Sequence, residues 1–358
     1  MKKIEILFRK FLLLFLLFIR KNAQQKDFPV ISKESKILFI RLNRIGDALV
    51  TTPLLKEIKE QIGCKIYVLA GSQNYFVFEN PKLADEIIVY RKNIHGIRAL
   101  IKLINNLECD AIVDLHDDVS STVSYLIAFT KSRYKFGLKK KNAKLYTHTV
   151  NKLDPSKYHV VNRMLEFGKL FGLKLNPEKA NIFFEPKYTS TKSAEEFIKN
   201  NYPAKKFLVG INISAGNEAR FWGVANYKLL IAELSNYDVN VLLLCSPQDL
   251  NNATQISNTK IPIYYRPTFD EFCAMIPLLD LLFTPDTSIV HVASVFNKPL
   301  FGLYVKYNTN DKIWSPYKSE FDSIITEEPT LENISFDQIK NKFIPFFEKI
   351  YIPKDRYE

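Results

Sequence analysis

Lys36-Ile-Leu-Phe-Ile-Arg-Leu-Asn-Arg-Ile-Gly-Asp-Ala-Leu-Val-Thr-Thr-Pro53 decides the reading of this chain. The apolar run 37–42 predicts a buried strand, and a short turn carrying Gly46 and Asp47 follows it. A helix is predicted from near Ala48. In an open α/β sheet, ligands sit outside the carboxyl ends of the strands, at such a corner. Asp47 therefore stands where a carboxylate can do chemistry. Its plainer reading is an N-cap for the helix.

Outward from this segment, strands and helices alternate. Runs at 65–70, 86–90 and 111–115 predict strands, with helices at 53–61 and 97–107 between them. Further strands are predicted at 133–137 and 146–150, and a helix at 159–172 that Gly172 ends. The alternation restarts after a Pro- and Asn-containing stretch at 173–186. Strands are predicted at 207–213, 239–245, 261–265, 279–284 and 299–303. Helices are predicted at 226–236, 249–257, 269–276, 288–296 and 336–350. Strands alternating with helices build parallel sheets through right-handed crossovers. A chain of 358 residues exceeds one comfortable core. The expected fold is α/β, with two Rossmann-like, doubly wound domains facing across a cleft. The expected divisions are an N-terminal helix and tether at 1–35, a first domain at 36–186, a second at 187–335 and a closing helix at 336–358.

A charged fraction of 25% with 47% hydrophobic residues fits a folded chain and argues against disorder. The net charge of +12 points to an acidic partner: nucleic acid, an anionic membrane or a phosphorylated substrate. A lysine-rich surface kept in solution by its charge is the plainer explanation. No recognition helix, RNP-like strand or zinc motif supports nucleic acid. Cys64, Cys109, Cys245 and Cys273 show no metal-ligand or CxxC spacing. Three of them sit in or beside apolar runs, as small buried hydrophobes do.

The N-terminus stands apart. Phe11-Leu-Leu-Leu-Phe-Leu-Leu-Phe-Ile19 is flanked by Lys2, Lys3, Arg9 and Lys10 before it and by Arg20 and Lys21 after it. The block is too short to span a hydrocarbon core of about 30 Å. An amphipathic helix lying in a membrane interface ranks first, a helix packed on the protein's own surface second, and a signal peptide third. Residues 22–35 are polar and read as a tether.

Neither half carries G-x-G-x-x-G or the P-loop pattern, and no G-x-S-x-G elbow is present. Dehydrogenase, P-loop and α/β-hydrolase chemistry are thereby disfavoured. Phe283-Thr-Pro-Asp-Thr-Ser-Ile-Val-His-Val-Ala-Ser294 is a second strand end opening a helix, with Asp286 placed to cap it. The N–H groups of Thr287, Ser288 and Ile289, with the helix dipole, suit a diphosphate. His291 falls one turn in; taken alone it would be a core histidine. In Ile213-Ser-Ala-Gly-Asn-Glu-Ala-Arg-Phe-Trp222, a strand runs into a small-residue loop. There Ser214 offers a hydroxyl and Arg220 could grip a phosphate with two N–H groups. Asp249, in Ser246-Pro-Gln-Asp249, reads equally as a ribose contact or an N-cap.

Arg41-x-x-x-x-Gly46-Asp47-x-x-x-x-x-Pro53, the Ser214…Arg220-x-Trp222 loop and Asp286-Thr287-x-x-x-His291-x-Ala293 occur here in an order that resembles the ADP-heptose:lipopolysaccharide heptosyltransferases, glycosyltransferase family nine. The resemblance runs from about residue 36 to about residue 345. It implies a GT-B fold whose C-terminal helix returns to the N-terminal domain. It also implies transfer of a sugar from a nucleotide donor such as ADP-heptose, with inversion, and with no metal and no further cofactor. Asp47 matches the family's general base. Asp286, Thr287, Ser288 and His291 match its donor motif, Arg220 a basic residue on the diphosphate, and Asp249 an acidic residue on the ribose. Ser288 stands where many members have Gly. Val113-Asp-Leu-His-Asp-Asp118 resembles a stretch near the acceptor, which makes Asp114 and His116 acceptor candidates beside Arg44; Asp117 and Asp118 depart from its usual small residues. The same four side chains suit a hard-cation site by composition alone, but one strand end supplies them all.

The reading is an inverting glycosyltransferase that acts on a lipopolysaccharide core or other lipid-linked acceptor. It is expected to be a monomer, peripheral at the cytoplasmic face of the inner membrane. The basic stretch 131–144 suits that face. The alternative, from another class, is a non-catalytic sugar-nucleotide or glycan-binding protein on the same scaffold.

Overall fold

The computed structural model describes residues 2–20, 29–91, 96–258 and 261–355. Lys21 and the first half of the expected tether, residues 22–28, lie outside them. The chain divides into two compact units, Met1–Phe183 and Phe184–Glu358.

In the first unit, β1 (Lys36–Arg41), β2 (Lys65–Gly71), β3 (Glu86–Tyr90), β4 (Ala111–Asp114), β5 (Tyr134–Leu138) and β6 (His148–Val150) form one sheet. Its order is β3-β2-β1-β4-β5-β6, and every pairing is parallel. That is the doubly wound order, with its reversal between β1 and β4. The central strands are buried along nearly their whole length and apolar except at their ends, because helices cover both faces. The helices are α1 (Lys2–Ile19), α2 (Ile45–Leu49), α3 (Thr52–Ile62), α4 (Gly96–Asn106), α5 (Ser121–Phe129) and α6 (Val160–Leu165).

The second unit repeats the plan. Its strands β7 (Phe207–Asn212), β8 (Val239–Cys245), β9 (Ile263–Tyr265), β10 (Leu281–Pro285), β11 (Leu300–Val305) and β12 (Phe321–Thr326) pair in the order β12-β11-β10-β7-β8-β9, again all parallel. The reversal falls between β7 and β10. The helices are α7 (Tyr188–Asn201), α8 (Val224–Leu234), α9 (Leu250–Ser257), α10 (Phe269–Cys273), α11 (Ser288–Val295) and α12 (Phe336–Asp355). Trp222, Tyr227, Phe283, Phe301, Phe343 and Phe347 fill the core on one face of this sheet.

Four differences from the sequence reading have physical causes. The helix after β1 begins earlier than Ala48 and breaks at Val50–Thr51, and Pro53 sits in the first turn of α3, where its missing N–H costs nothing. The helix expected at 159–172 is α6 followed by a tighter turn over Glu166–Phe171. Gly172 ends it at φ +69°, a left-handed conformation that suits glycine. Helices α5 and α7 and strand β12 were not expected. α5 is apolar on nearly all sides because α1 covers the side that would otherwise face water, so it shows no amphipathic period. β12 is an edge strand with Phe321 and Ile325 exposed, so it lacks a buried strand's pattern.

α12 belongs to the second unit, where Phe343, Phe346 and Phe347 lie in the core. The helix's apolar face is buried against the sheet of this unit.

Candidate active site

In the first unit the candidate residues gather at the reversal point of the sheet. The register of β1 on β4 pairs Ile40 with Asp114, so the carboxyl ends of both strands finish side by side. Arg41, the last residue of β1, is 1% exposed. Its Nε donates to the Asp47 carbonyl (3.0 Å), its Nη2 to Asp47 Oδ1 (3.1 Å), and its Nη1 to the carbonyl of Leu115 just past β4. Asn43 Nδ2 donates to the same Oδ1 (3.3 Å).

Asp47 is thus not a helix cap. The cap position of α2 is Arg44, which makes no side-chain cap bond, and Asp47 lies inside the first turn. Its Oδ1 is anchored, and no donor among the described residues reaches its Oδ2. The side chain is 19% exposed. A carboxylate held by one oxygen, with the other open, can accept a proton from a bound hydroxyl. Arg44 is exposed beside it, where a cation meets solvent or an anionic ligand.

Asp114 and His116 are more deeply set than acceptor contacts would be. Asp114 is fully buried. Its Oδ1 accepts from the His116 backbone N–H (3.0 Å) and lies 2.8 Å from His116 Nδ1. Its Oδ2 accepts from Lys140 Nζ (2.9 Å) and the Tyr146 hydroxyl (2.6 Å). His116 Nε2 accepts from the Leu42 N–H (3.2 Å), which places the ring proton on Nδ1. Burial by itself would raise the Asp114 pKa. The Lys140 ammonium, with the His116 and Tyr146 bonds, overrides that and holds the carboxyl well below its usual range. The pair braces the end of β1 that carries Arg41, and through Arg41 it bears on Asp47. Asp117 pairs with Arg163 (2.9 Å) and Asp118 with Lys152 (3.4 Å).

The second unit gathers its candidates the same way. Asn212, buried at the end of β7, donates to Thr284 Oγ1 on β10 (2.9 Å) and to the Ser214 carbonyl (3.1 Å). Its Oδ1 accepts from the Ser214 N–H (3.1 Å). Ser214 Oγ donates to Asp249 Oδ2 and accepts from the Ser246 N–H (2.7 Å), while Ser246 Oγ donates to the same Oδ2 (2.7 Å). Asp249 sits at the cap position of α9 but makes no side-chain cap bond. No donor among the described residues reaches its Oδ1, which leaves an acceptor for a ligand hydroxyl.

Arg220 reaches the start of α11. Its Nη1 donates to the Asp286 carbonyl (2.9 Å), and Nη2 meets Asp286 Oδ2 (3.1 Å). Thr287, not Asp286, caps the helix: its hydroxyl accepts from the Ile289 N–H (3.1 Å). The expected cap is displaced by one residue because Asp286 is engaged by Arg220. Ser288 is half-buried, and His291 is buried with its ring 5.9 Å from that of Trp314. Trp222 is fully buried and its indole N–H donates to the Ile334 carbonyl (2.8 Å), anchoring the loop that aims Arg220. The first N–H groups of α11 and the part-exposed guanidinium of Arg220, balanced by Asp286, are the donors at this corner.

Sequence reasoning missed Lys140, Tyr146, Asn212 and Asn74. Asn74 is fully buried; its Nδ2 donates to the Arg41 carbonyl (3.1 Å) and the Asn43 carbonyl (2.8 Å). Asn74 and Tyr146 lie far from the motifs, and Asn212 and Lys140, though in or beside stretches already singled out, show no spacing that marks their partners.

Comparison with known proteins gives the family and the fold. A family model described as glycosyltransferase family 9 (heptosyltransferase) matches residues 97–342. The lipopolysaccharide core heptosyltransferase OpsX of Haemophilus influenzae is 22% identical over 293 residues, covering 78% of this chain and 82% of that protein. Three solved structures share the fold. A family 9 glycosyltransferase from Veillonella parvula has a TM-score of 0.75 at 18% identity, over 91% of this chain and 99% of its own. The E. coli ADP-heptose lps heptosyltransferase II has 0.68 at 16%, over 89% and 99%. The E. coli heptosyltransferase WaaC, solved with ADP, has 0.66 at 15%, over 88% and 99%.

Proposed function

The chain belongs to glycosyltransferase family 9 (heptosyltransferase), and from that premise we propose that it moves a heptose or a related sugar from a nucleotide-sugar donor to a lipopolysaccharide core or similar lipid-linked acceptor. Transfer proceeds with inversion and without a metal ion. The observation that carries this reading is the Asp47 carboxylate, with Oδ1 fixed by Arg41 and Asn43 and Oδ2 open.

Asp47 Oδ2 takes the proton from the acceptor hydroxyl as that oxygen attacks the anomeric carbon. The bond to the diphosphate breaks on the opposite face of the sugar, inverting the centre. Negative charge builds on the departing diphosphate, and Arg220 with the first N–H groups of α11 stabilises it. These groups take the part that a divalent ion plays elsewhere. Asp249 Oδ1 accepts from the donor ribose. That WaaC was solved with ADP and shares this fold supports an ADP-type donor. The relative named for the lipopolysaccharide core supports the acceptor class, and with it a place at the cytoplasmic face of the inner membrane.

The test is Asp47→Asn. The variant keeps donor affinity by calorimetry and loses turnover by about 10²–10⁴-fold, the span of general-base catalysis. Full turnover by the variant removes Asp47 as the base. Donor binding by the wild type without transfer to any glycolipid acceptor would favour the non-catalytic binding protein.

A further inference from the structure

α1 has two faces, and only one is used inside the molecule. Leu16 is fully buried, and Leu12 and Leu17 pack with it against α5 and the first unit's core. At the end of the helix the Arg20 guanidinium lies over the Phe129 ring, 5.4 Å from its centroid. The helix is therefore seated along α5. The opposite face is apolar and open: Phe11 and Leu14 are each 67% exposed, Phe15 50% and Phe18 81%. These positions follow the i, i+3, i+4, i+7 spacing of one helical stripe. So large a contiguous apolar stripe on a surface marks an interaction site.

The charge beside the stripe identifies the occupant. Residues 119–153 hold eight Lys or Arg and no Asp or Glu. Lys131 and Arg133 are exposed just past the end of α5, at the same end as Arg20. Lys135, on β5, is 7% exposed, and no acidic side chain among the described residues pairs with it. Burial, and then the charge of Arg20, lower its pKa to about 8. Of these cations, Lys140 and Lys152 are held by Asp114 and Asp118, but the exposed Lys131 and Arg133 have no carboxylate partner among the described residues. Such cations next to an apolar stripe match a bilayer with anionic phosphate headgroups. A second copy of the chain would bring the same positive charge and repel. Among the described residues no helix is long and apolar enough to cross a membrane.

We propose that α1 is a membrane-docking element. Its inner face is part of the first unit's core, its outer stripe Phe11, Leu14, Phe15 and Phe18 enters the acyl boundary, and Arg20, Lys131 and Arg133 bind anionic phospholipid headgroups. Docking through a seated helix fixes the orientation of the first unit toward the lipid surface, which a flexible tether would not do. This rests on the helix alone and stands whether or not the transfer chemistry is as proposed.

The test is co-sedimentation of the full chain with vesicles of phosphatidylcholine, with and without phosphatidylglycerol. The wild type pellets with the anionic vesicles and far less with the neutral ones, and salt weakens it. Replacing Phe11, Leu14, Phe15 and Phe18 by Ser lowers the partition coefficient at least about tenfold, since several half-buried apolar groups are lost. Lys131→Glu with Arg133→Glu abolishes the preference for anionic vesicles. The positions are exposed, so thermal unfolding stays unchanged; Phe18→Ser alone gives a smaller fall if the fourfold variant misfolds. Equal pelleting of the fourfold variant overturns the proposal, as does a wild type that pellets with neither vesicle. A wild-type dimer that the fourfold variant dissociates, with no vesicle binding, assigns the stripe to a second copy instead. Turnover on a delipidated acceptor is read separately and reports only on the transferase reading.

Discussion

The guanidinium of Arg41 holds Asp47 at two points, the carbonyl through Nε and Oδ1 through Nη2, while its third arm reaches Leu115 on the neighbouring strand end. The carboxylate is thereby oriented by the sheet itself. A lysine keeps the charge but has no planar fork to make three directed bonds. Arg41→Lys therefore lowers kcat, by roughly 10²-fold for a misplacement near 1 Å, with donor affinity unchanged. Steady-state kinetics beside donor titration read the split, and an unchanged kcat would free Asp47 from its brace.

Arg220 and Asp286 form the matching pair in the second unit. Arg220→Ala removes a charge-assisted contact worth about 1.5–3 kcal/mol, or roughly ten- to hundredfold in kcat/KM. Asp286→Asn has a smaller effect, because the Arg220 bond to the Asp286 carbonyl remains. If Arg220→Ala binds and turns over donor like the wild type, the diphosphate does not sit at α11.

Lys140→Met leaves the buried Asp114 carboxylate without its cation. Breaking one side of such a pair costs about 3–5 kcal/mol. Urea unfolding measures it, and the double variant with Asp114→Asn recovers much of the loss. A single variant as stable as the wild type would show that His116 and Tyr146 suffice.

Trp222→Ala empties a fully buried site and breaks the bond to Ile334. The expected loss is about 3–5 kcal/mol, with the donor KM raised because the Arg220 loop loosens. A loss confined to stability would separate the anchor from the site.

Lys135 carries a pH signature. Its folded-state pKa of about 8 lies below the ordinary 10.5, so the unfolded chain binds more protons between those values. Stability contributed at this residue therefore rises with pH from about 8 to 10.5 and is lowest below that window. Lys135→Met stabilises the protein near neutrality and flattens that rise, which paired unfolding curves across the window test. Identical pH slopes in the two proteins would contradict the buried ammonium.

How much of this was legible follows from where each signal lies along the chain. The apolar runs around Ile37–Ile40 and Leu281–Phe283 announced buried parallel strands, and the corners after them announced Asp47 and Asp286. Local signals sufficed there, because a strand end and the helix after it lie within a dozen residues. The plainer readings failed at those same corners. Asp47 is not a cap because Arg41 takes its carboxylate, and Asp286 is not one because Arg220, 66 residues away, takes its own.

The sequence by itself determined the class of fold, its two repeated halves and the strand-end corners where the candidate residues stand, since periodicity, turn residues and charge are properties of short stretches. Tertiary structure decided which atoms of those segments are free. Lys140 and Tyr146 silence Asp114 from more than two dozen residues away, Asn74 fixes the β1 corner, and α1 hides the period of α5 by covering it. Those outcomes depend on burial and on partners distant in sequence, and burial exists only once the chain has folded.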